Sequence, residues 1–421
     1  MDATTGIISG RPTVAGPRDR IYITASNIAG SIRQGPYRLA VDDYDVNAQG
    51  TFVGLIDRSG SFTGPILDEG LGARFDLVTT RSGSFSGRVT IGTRAYPFRG
   101  LLDTSSADPV GSVVIRQKGL PIWNIDFAID VPTGEITATA GNLRAWRTLP
   151  RGDPALTARL GRHHWYAEFP GGPPPSVPEG GSYASATVTS SGLVVISGRT
   201  ALGDVIVSSA RLGTNGAALV YRALERGTAT FCGELSIALD APHSVGGLLT
   251  WSRVANSRSL LYPLGWSPPI QLQASGSLYS PAKAGVGTGI VLGAVATDEG
   301  ISNALLEFTG GGVGVDFGDP ALVPSIGLRV TSPANVALIQ PNPNSVSLRI
   351  NNTTGLLSGS FTVIDGAIRR RVAYQGMIVP PALAGPVSYP VGFGYFLLPE
   401  LPATRSSLRR SGFVLLSPVE P

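Results

Sequence analysis

The chain has 421 residues, 42% hydrophobic and only 15% charged, with a formal net charge of +4. That balance excludes intrinsic disorder, which needs low hydrophobicity and high charge. Gly (55) and Pro (33) make up about a fifth of the residues, against an average of about 12%, and this excludes a helical protein because both residues break helices and serve turns and strand ends.

Residues 1–35 read as a polar lead-in with a short strand at 21–24. Residues 36–150 read as a first β module, with strands at 37–41 and 51–56 around Asp42-Asp43-Tyr44-Asp45-Val46-Asn47. Residues 82–102 are its clearest stretch. Phe85, Val89 and Ile91 alternate with Ser84, Ser86, Arg88 and Thr90, the two-residue period of a half-buried strand. Gly92-Thr93 suits a tight primed turn, and Tyr96, Phe98 and Leu102 share a face on the return strand. Further strands are expected at 112–116, 123–129, 135–140 and 143–148.

Leu149-Pro150-Arg151-Gly152-Asp153-Pro154 breaks the pattern. Residues 151–269 read as a second β module, opening with a strand at 163–169 and a Pro/Gly loop at 170–181. Strands follow at 184–189, 193–197, 205–211, 217–221 and 248–251, and Pro268-Pro269 marks the exit. Residues 219–225 read as readily as a strand as a two-turn helix. Residues 270–421 read as a third β module. Its hairpin at 354–379 repeats the first: Ser358-Gly359 matches Ser86-Gly87, and Tyr374 and Gly376 match Phe98 and Gly100. Its turn, around Asp365-Gly366, reads as longer. Ser197-Gly198 starts a weaker copy in between. The expected fold is therefore all-β and antiparallel, with tandem barrel-like or sandwich modules built from related hairpins and almost no helix. Closure into barrels is favoured, because it hides strand edges.

The phrases Ser82-Gly83-Ser84-Phe85-Ser86-Gly87, Phe98-Arg99-Gly100-Leu101-Leu102, Tyr374-Gln375-Gly376-Met377-Ile378 and Gly246-Gly247-Leu248-Leu249-Thr250-Trp251 resemble the Gly-rich β-modules of very large surface or secreted proteins of environmental bacteria. The resemblance runs from about Gly50 to the end. It implies export and repeated β-domains, and it transfers no catalytic residue. Met1 precedes a polar stretch without an apolar h-region, and the next methionine is Met377. The chain is therefore expected to be a segment of a longer protein.

Few residues carry chemistry. His163-His164 beside Trp165 suggests metal or sugar binding, and with His243, the third histidine, three zinc ligands exist without a spacing signature. Adjacent strand residues point to opposite faces, so a strand edge with an aromatic belt is the competing reading. Trp123 and the other tryptophans could stack on sugar rings or fill cores. Asp43-x-Asp45-x-Asn47 places three oxygen ligands at alternate positions, as calcium loops do, but Ala48 and Gly54 stand where such loops need Gly and Glu. Gly310–Asp319, with Asp316 and Asp319, is a weaker acidic candidate. Asp126, Asp130 and Glu135 lie near one another, with nothing to fix them across a substrate. Cys232 reads as a buried structural thiol. Basic residues are almost all Arg, scattered among acids, with no basic stripe of interleaved aromatics, so nucleic acid is not an expected partner. No apolar run is long enough for a membrane helix.

The expectation is a non-enzymatic extracellular or cell-surface module, structural or adhesive. Its partners would be neighbouring modules, copies of itself, or glycans. A glycan- or small-ligand-binding barrel and an enzyme acting on extracellular polymer are the alternatives. The expected ligand contacts are Trp165, His163, His164 and Trp123. Calcium on Asp43, Asp45 and Asn47 is the one expected cofactor.

Overall fold

The computed structural model describes residues 5, 16–41, 44–57, 72–104, 106–116, 122–138, 142–174, 176–281, 298, 300–313, 324–332, 335–381 and 391–419. Alternation of apolar and polar residues builds its strands. A hairpin of β1 (Gly16–Asn27) and β2 (Gly30–Val41) leads the chain. Next come β3 (Gly50–Asp57), β4 (Ala73–Thr79), β5 (Ser84–Ile91), β6 (Arg94–Leu101), β7 (Val110–Ile115), β8 (Trp123–Asp130), β9 (Glu135–Ala138) and β10 (Asn142–Arg147). A short helix, α1 (Pro154–Ala158), is capped by the Asp153 carboxylate, which accepts from the Ala155 amide. It fills the break expected after Leu149.

The second set is β11 (Gly161–Glu168), β12 (Ser182–Val188), β13 (Leu193–Arg199), β14 (Val205–Arg211), β15 (Ala217–Leu224), β16 (Ala229–Ile237), β17 (Val245–Arg253) and β18 (Trp266–Leu278). The third is β19 (Ala304–Gly310), β20 (Ser325–Ser332), β21 (Asn335–Leu338), β22 (Ser347–Asn351), β23 (Leu356–Asp365), β24 (Ile368–Ile378), β25 (Gly392–Pro399) and β26 (Arg409–Pro418).

Each set is an eight-stranded antiparallel meander whose first strand pairs with its last: β3 with β10, β11 with β18, β19 with β26. The protein is thus all-β, with three nearly closed barrels in tandem. The seam lies between β6 and β7 in barrel 1, between β14 and β15 in barrel 2, and between β21 and β22 in barrel 3. The Asp103–Val110 bridge narrows the first seam. At the second, the Ser208 hydroxyl accepts from the Tyr221 amide at 3.1 Å. No helix among the described residues is long and apolar enough to cross a membrane.

The barrel interiors are filled. Phe75, Phe85 and Phe127 pack edge-on at 5.6–5.9 Å in barrel 1. Trp251 lies 4.9 Å from Trp266 in barrel 2, and Phe308 stacks on Phe361 at 4.0 Å in barrel 3. The repeated Gly and aromatic phrases explain part of this packing. Gly87 pairs with Phe98 and Phe85 with Gly100, so each ring lies over the bare backbone of its cross-strand neighbour. A Cβ on Gly100 would collide with the ring of Phe85. Gly111 with Phe127, Gly359 with Tyr374, and Gly412 with Phe396 repeat the device. Gly100→Ala is expected to cost about 1–3 kcal/mol by overpacking. Adding Phe85→Leu should recover part of that loss in a double-mutant cycle read by urea unfolding. Strictly additive losses would show that the ring does not depend on the glycine.

Both hairpin turns have two residues. Gly92-Thr93 and Gly366-Ala367 begin with glycines at φ +57° and +59°, the left-handed region that primed turns require. The turn expected to be longer in the third module is therefore the same length. Its ladder is longer instead, by the pairs Ile364–Arg369 and Asp365–Ile368. The Arg369-Arg370-Arg371 run lies on β24, where the Arg370 guanidinium forms a buried ion pair with Asp365. Two strands fall differently from the sequence reading. Residues 37–41 pair backwards with β1, through Ile21–Tyr37. β18 spans the expected 269/270 division and closes barrel 2.

Candidate functional site

The outer faces of the barrels pack against one another. Between barrels 1 and 2, Val53, Leu55 and Trp146 meet Leu219, Tyr221 and the buried thiol of Cys232. Between barrels 2 and 3, Tyr166 stacks on Phe393 at 3.5 Å, and the Ser411 hydroxyl donates to the Ala201 carbonyl at 2.6 Å.

The residues expected to bind ligand lie in these cores and interfaces. β11 alternates, so His163 and Trp165 point into barrel 2 while His164 points out to barrel 3. His163 Nε2 lies 3.0 Å from the Arg159 carbonyl, and its ring is edge-on to His243 at 6.5 Å. His164 Nδ1 donates to the Ile378 carbonyl at 2.7 Å, and its ring stacks on Tyr279 at 3.9 Å. The three histidines therefore do not converge. Burial holds the His163 imidazole below its usual pKa and lowers that of His164 from 6.5 to about 4. Trp165 is fully buried and Trp123 lies in the core of barrel 1. These four residues offer no face to a sugar ring, and the expectation that they bind ligand is corrected: strand alternation and barrel closure turn them inward or into an interface.

Asp43 lies outside the described residues, as do Asp316 and Asp319. Asp45 accepts from the Asn47 amide at 2.7 Å and caps a 3-10 turn. The Asn47 side-chain oxygen accepts from Arg147 Nη1 at 3.4 Å. Both oxygens thus serve local structure, and the Arg147 guanidinium stands beside Asn47. Among the described residues, no group of three His, Cys, Asp or Glu comes together as a metal site. Asp126 and Asp130 lie on β8, while Glu135 is drawn towards Arg144 at 3.4 Å and Asn215 at 3.3 Å.

Two clefts lie between the barrels instead. One, of about 690 Å³, is lined by Arg74, Arg88, Thr90 and the Gly92-Thr93 turn of barrel 1, and by Asp204, Tyr221, Arg222, Glu225 and Arg226 of barrel 2. The other, of about 650 Å³, lies between barrels 2 and 3, with Arg162, Arg199, Ser185, Ser197, Gln375 and Met377 on its walls. Val205 lines both. Tyr221 Oη accepts from the Gly92 amide at 2.8 Å, which ties the tip of the first hairpin to barrel 2. Glu225 and Arg226 take φ of +46° and +60°, a backbone that costs a non-glycine residue about 1–3 kcal/mol and concentrates at functional sites. Glu225 pairs with the buried Arg253 at 2.6 Å. Burial raises the carboxyl pKa of both Asp204 and Glu225, opposed by Arg253.

Sequence reasoning missed these clefts because their walls join residues from 74 to 226, or from 162 to 377, on separate barrels. The available signal was outward-facing arginine at strand positions, as at Arg74, Arg88 and Arg222. No protein-family profile matches the chain, and no curated protein matches it. Among solved structures, the chain is similar to a protein of unknown function from the DUF3598 family of Nostoc punctiforme, at 8% identity and a TM-score of 0.19, over 56% of this chain and 97% of that one.

Proposed function

We propose that the chain is a non-enzymatic structural or adhesive module of the cell surface or extracellular space, meeting its partners on the outer faces of its barrels. One observation carries this reading. The barrel interiors, where small-ligand-binding barrels hold their cargo, are filled with side chains such as Phe127, Trp165 and Phe361. The Gly-rich surface-protein resemblance supports the setting, and the close-packed barrel interfaces suit a rigid spacer. The glycan-binding alternative moves from the tryptophans to the clefts between barrels.

The test is retention of polysaccharides on immobilised protein, together with light scattering over a range of protein concentrations. Retention of polymer whose chain length stays unchanged, or concentration-dependent assembly, is the expected result. Shortening of a retained polymer with time would overturn the non-enzymatic reading. A monomer at every concentration that retains nothing from neutral and acidic panels would overturn the adhesive one.

A further inference from the structure

We infer that the cleft between barrels 1 and 2 binds an acidic polysaccharide, whose carboxylate or sulfate groups pair with Arg88, Arg222 and Arg226. The inference rests on the adhesive reading and gives it a ligand class and a location. Among the described residues, the lining holds four arginines against two acids, Asp204 and Glu225. Glu225 is already engaged by Arg253. Arg74 is held in place, bound through two nitrogens to Asp76 and through Nη1 to the Ser209 carbonyl of barrel 2 at 2.8 Å. Arg88 shares Asp76 but keeps its side chain 58% exposed. Arg222 and Arg226 are exposed. Among the described residues, three solvent-facing arginines thus outnumber the acids left to answer them.

Guanidinium is the side chain suited to this ligand. Its planar fork binds carboxylate or sulfate oxygens two at a time, and it is more weakly hydrated than ammonium. Thr90 and Thr93 add hydroxyls for sugar hydroxyl groups. The cleft is as large as established ligand sites, and it is an open trough between two rigid walls. Its rim is fixed: the Gly92 amide is bonded to Tyr221, and Glu225 and Arg226 occupy left-handed backbone positions. The ordering cost of binding therefore falls mainly on the exposed arginine side chains. Charge complementarity selects a polyanion, and the lining selects among polyanions. The one aromatic residue among the described lining, Tyr221, is 8% exposed with its hydroxyl engaged, so the described lining offers no platform on which bases stack.

The test uses the full chain and isothermal titration with polygalacturonate, dextran sulfate, neutral dextran and single-stranded DNA. Polygalacturonate, dextran sulfate or both should bind, dextran should not, and binding should vanish near about 1 M salt, where the screening length is about 3 Å. The double variant Arg222→Ser, Arg226→Asn should bind at least about tenfold more weakly, about 1.4 kcal/mol, at an unchanged melting temperature. Asn tolerates the left-handed backbone at position 226. Arg349→Ser, on the exposed side of barrel 3, should bind as the wild type does. Equal loss in Arg349→Ser, or none in the double variant, would overturn the location. DNA binding tighter than either acidic polysaccharide, or equal binding of neutral dextran, would overturn the ligand class. Retention of neutral polymer alone would sink this inference and leave the adhesive reading standing.

Discussion

Replacing Trp165 with alanine lowers the stability of the protein by about 3–5 kcal/mol and leaves polysaccharide binding at the clefts intact. The indole is fully buried on the inner face of β11. Its cross-strand partners are Ala184 on β12 and Gly276 on β18. Neither neighbour has a side chain that can swing into the space an indole leaves. The two strands cannot draw closer at this point, because the backbone of β18 at Gly276 already lies against that of His164 and Trp165. An unrelaxed cavity places the cost in the upper part of that range. Urea unfolding followed by the remaining tryptophans measures it. A loss below about 1 kcal/mol, the scale of a well-tolerated core change, would mean that the barrel is not packed around this ring. Loss of polysaccharide binding by the folded variant would return Trp165 to the ligand site.

Much of the fold was legible because the chain repeats one local device. Phe85, Gly87, Phe98 and Gly100 specify a pair of neighbouring strands through rings over bare backbone, and Gly92 specifies the turn between them. The same chemistry at Gly359 and Tyr374 correctly marked β23 and β24. It did not mark their place around the barrel. β5 and β6 are the third and fourth strands of barrel 1, whereas β23 and β24 are the fifth and sixth of barrel 3. A cross-strand pair constrains two strands and says nothing about how many precede them. Pro268-Pro269 misled for a related reason. Proline lacks the amide that a ladder uses, so the pair read as an exit. In the structure it lies where the β17–β18 ladder shifts register, between the pairs Arg253–Trp266 and Trp251–Ile270.

The site was less legible than the fold. His163, His164 and Trp165 are conspicuous because they are adjacent in sequence, and adjacency on a strand separates side chains onto opposite faces. The cleft residues show the reverse. Arg88 and Arg222 are unremarkable in sequence, and only the packing of barrel 1 against barrel 2 brings them to one trough. That packing depends on particular contacts, such as Trp146 against Gly213 and Gly92 against Tyr221, which link positions with no periodic relation.

The contact between barrels 2 and 3 should weaken in mild acid, and His164 is the reason. Its Nδ1 faces the Ile378 carbonyl, which can only accept, so Nδ1 carries the proton of the neutral ring. Nε2 is buried without a hydrogen-bond partner. A second proton would place an unpaired charge against Tyr279 and Gly355, with Arg162 nearby. Burial chiefly, with a smaller contribution from Arg162, therefore lowers the pKa from 6.5 to about 4. Above about pH 6.5 the ring is neutral in both the folded and unfolded chains, and its contribution to stability is fully present. Between that pH and about 4, the unfolded chain binds a proton that the folded one refuses, so stability falls as pH falls. The interval corresponds to about 3 kcal/mol. His163, also lowered by burial, adds a loss of the same sign. In His164→Gln the amide nitrogen can donate to the same carbonyl and no ring titrates. Urea unfolding of both proteins from about pH 7 to about pH 4 should show the wild type losing about 3 kcal/mol more than the variant. Parallel pH profiles would show that His164 does not couple the barrel interface to acid.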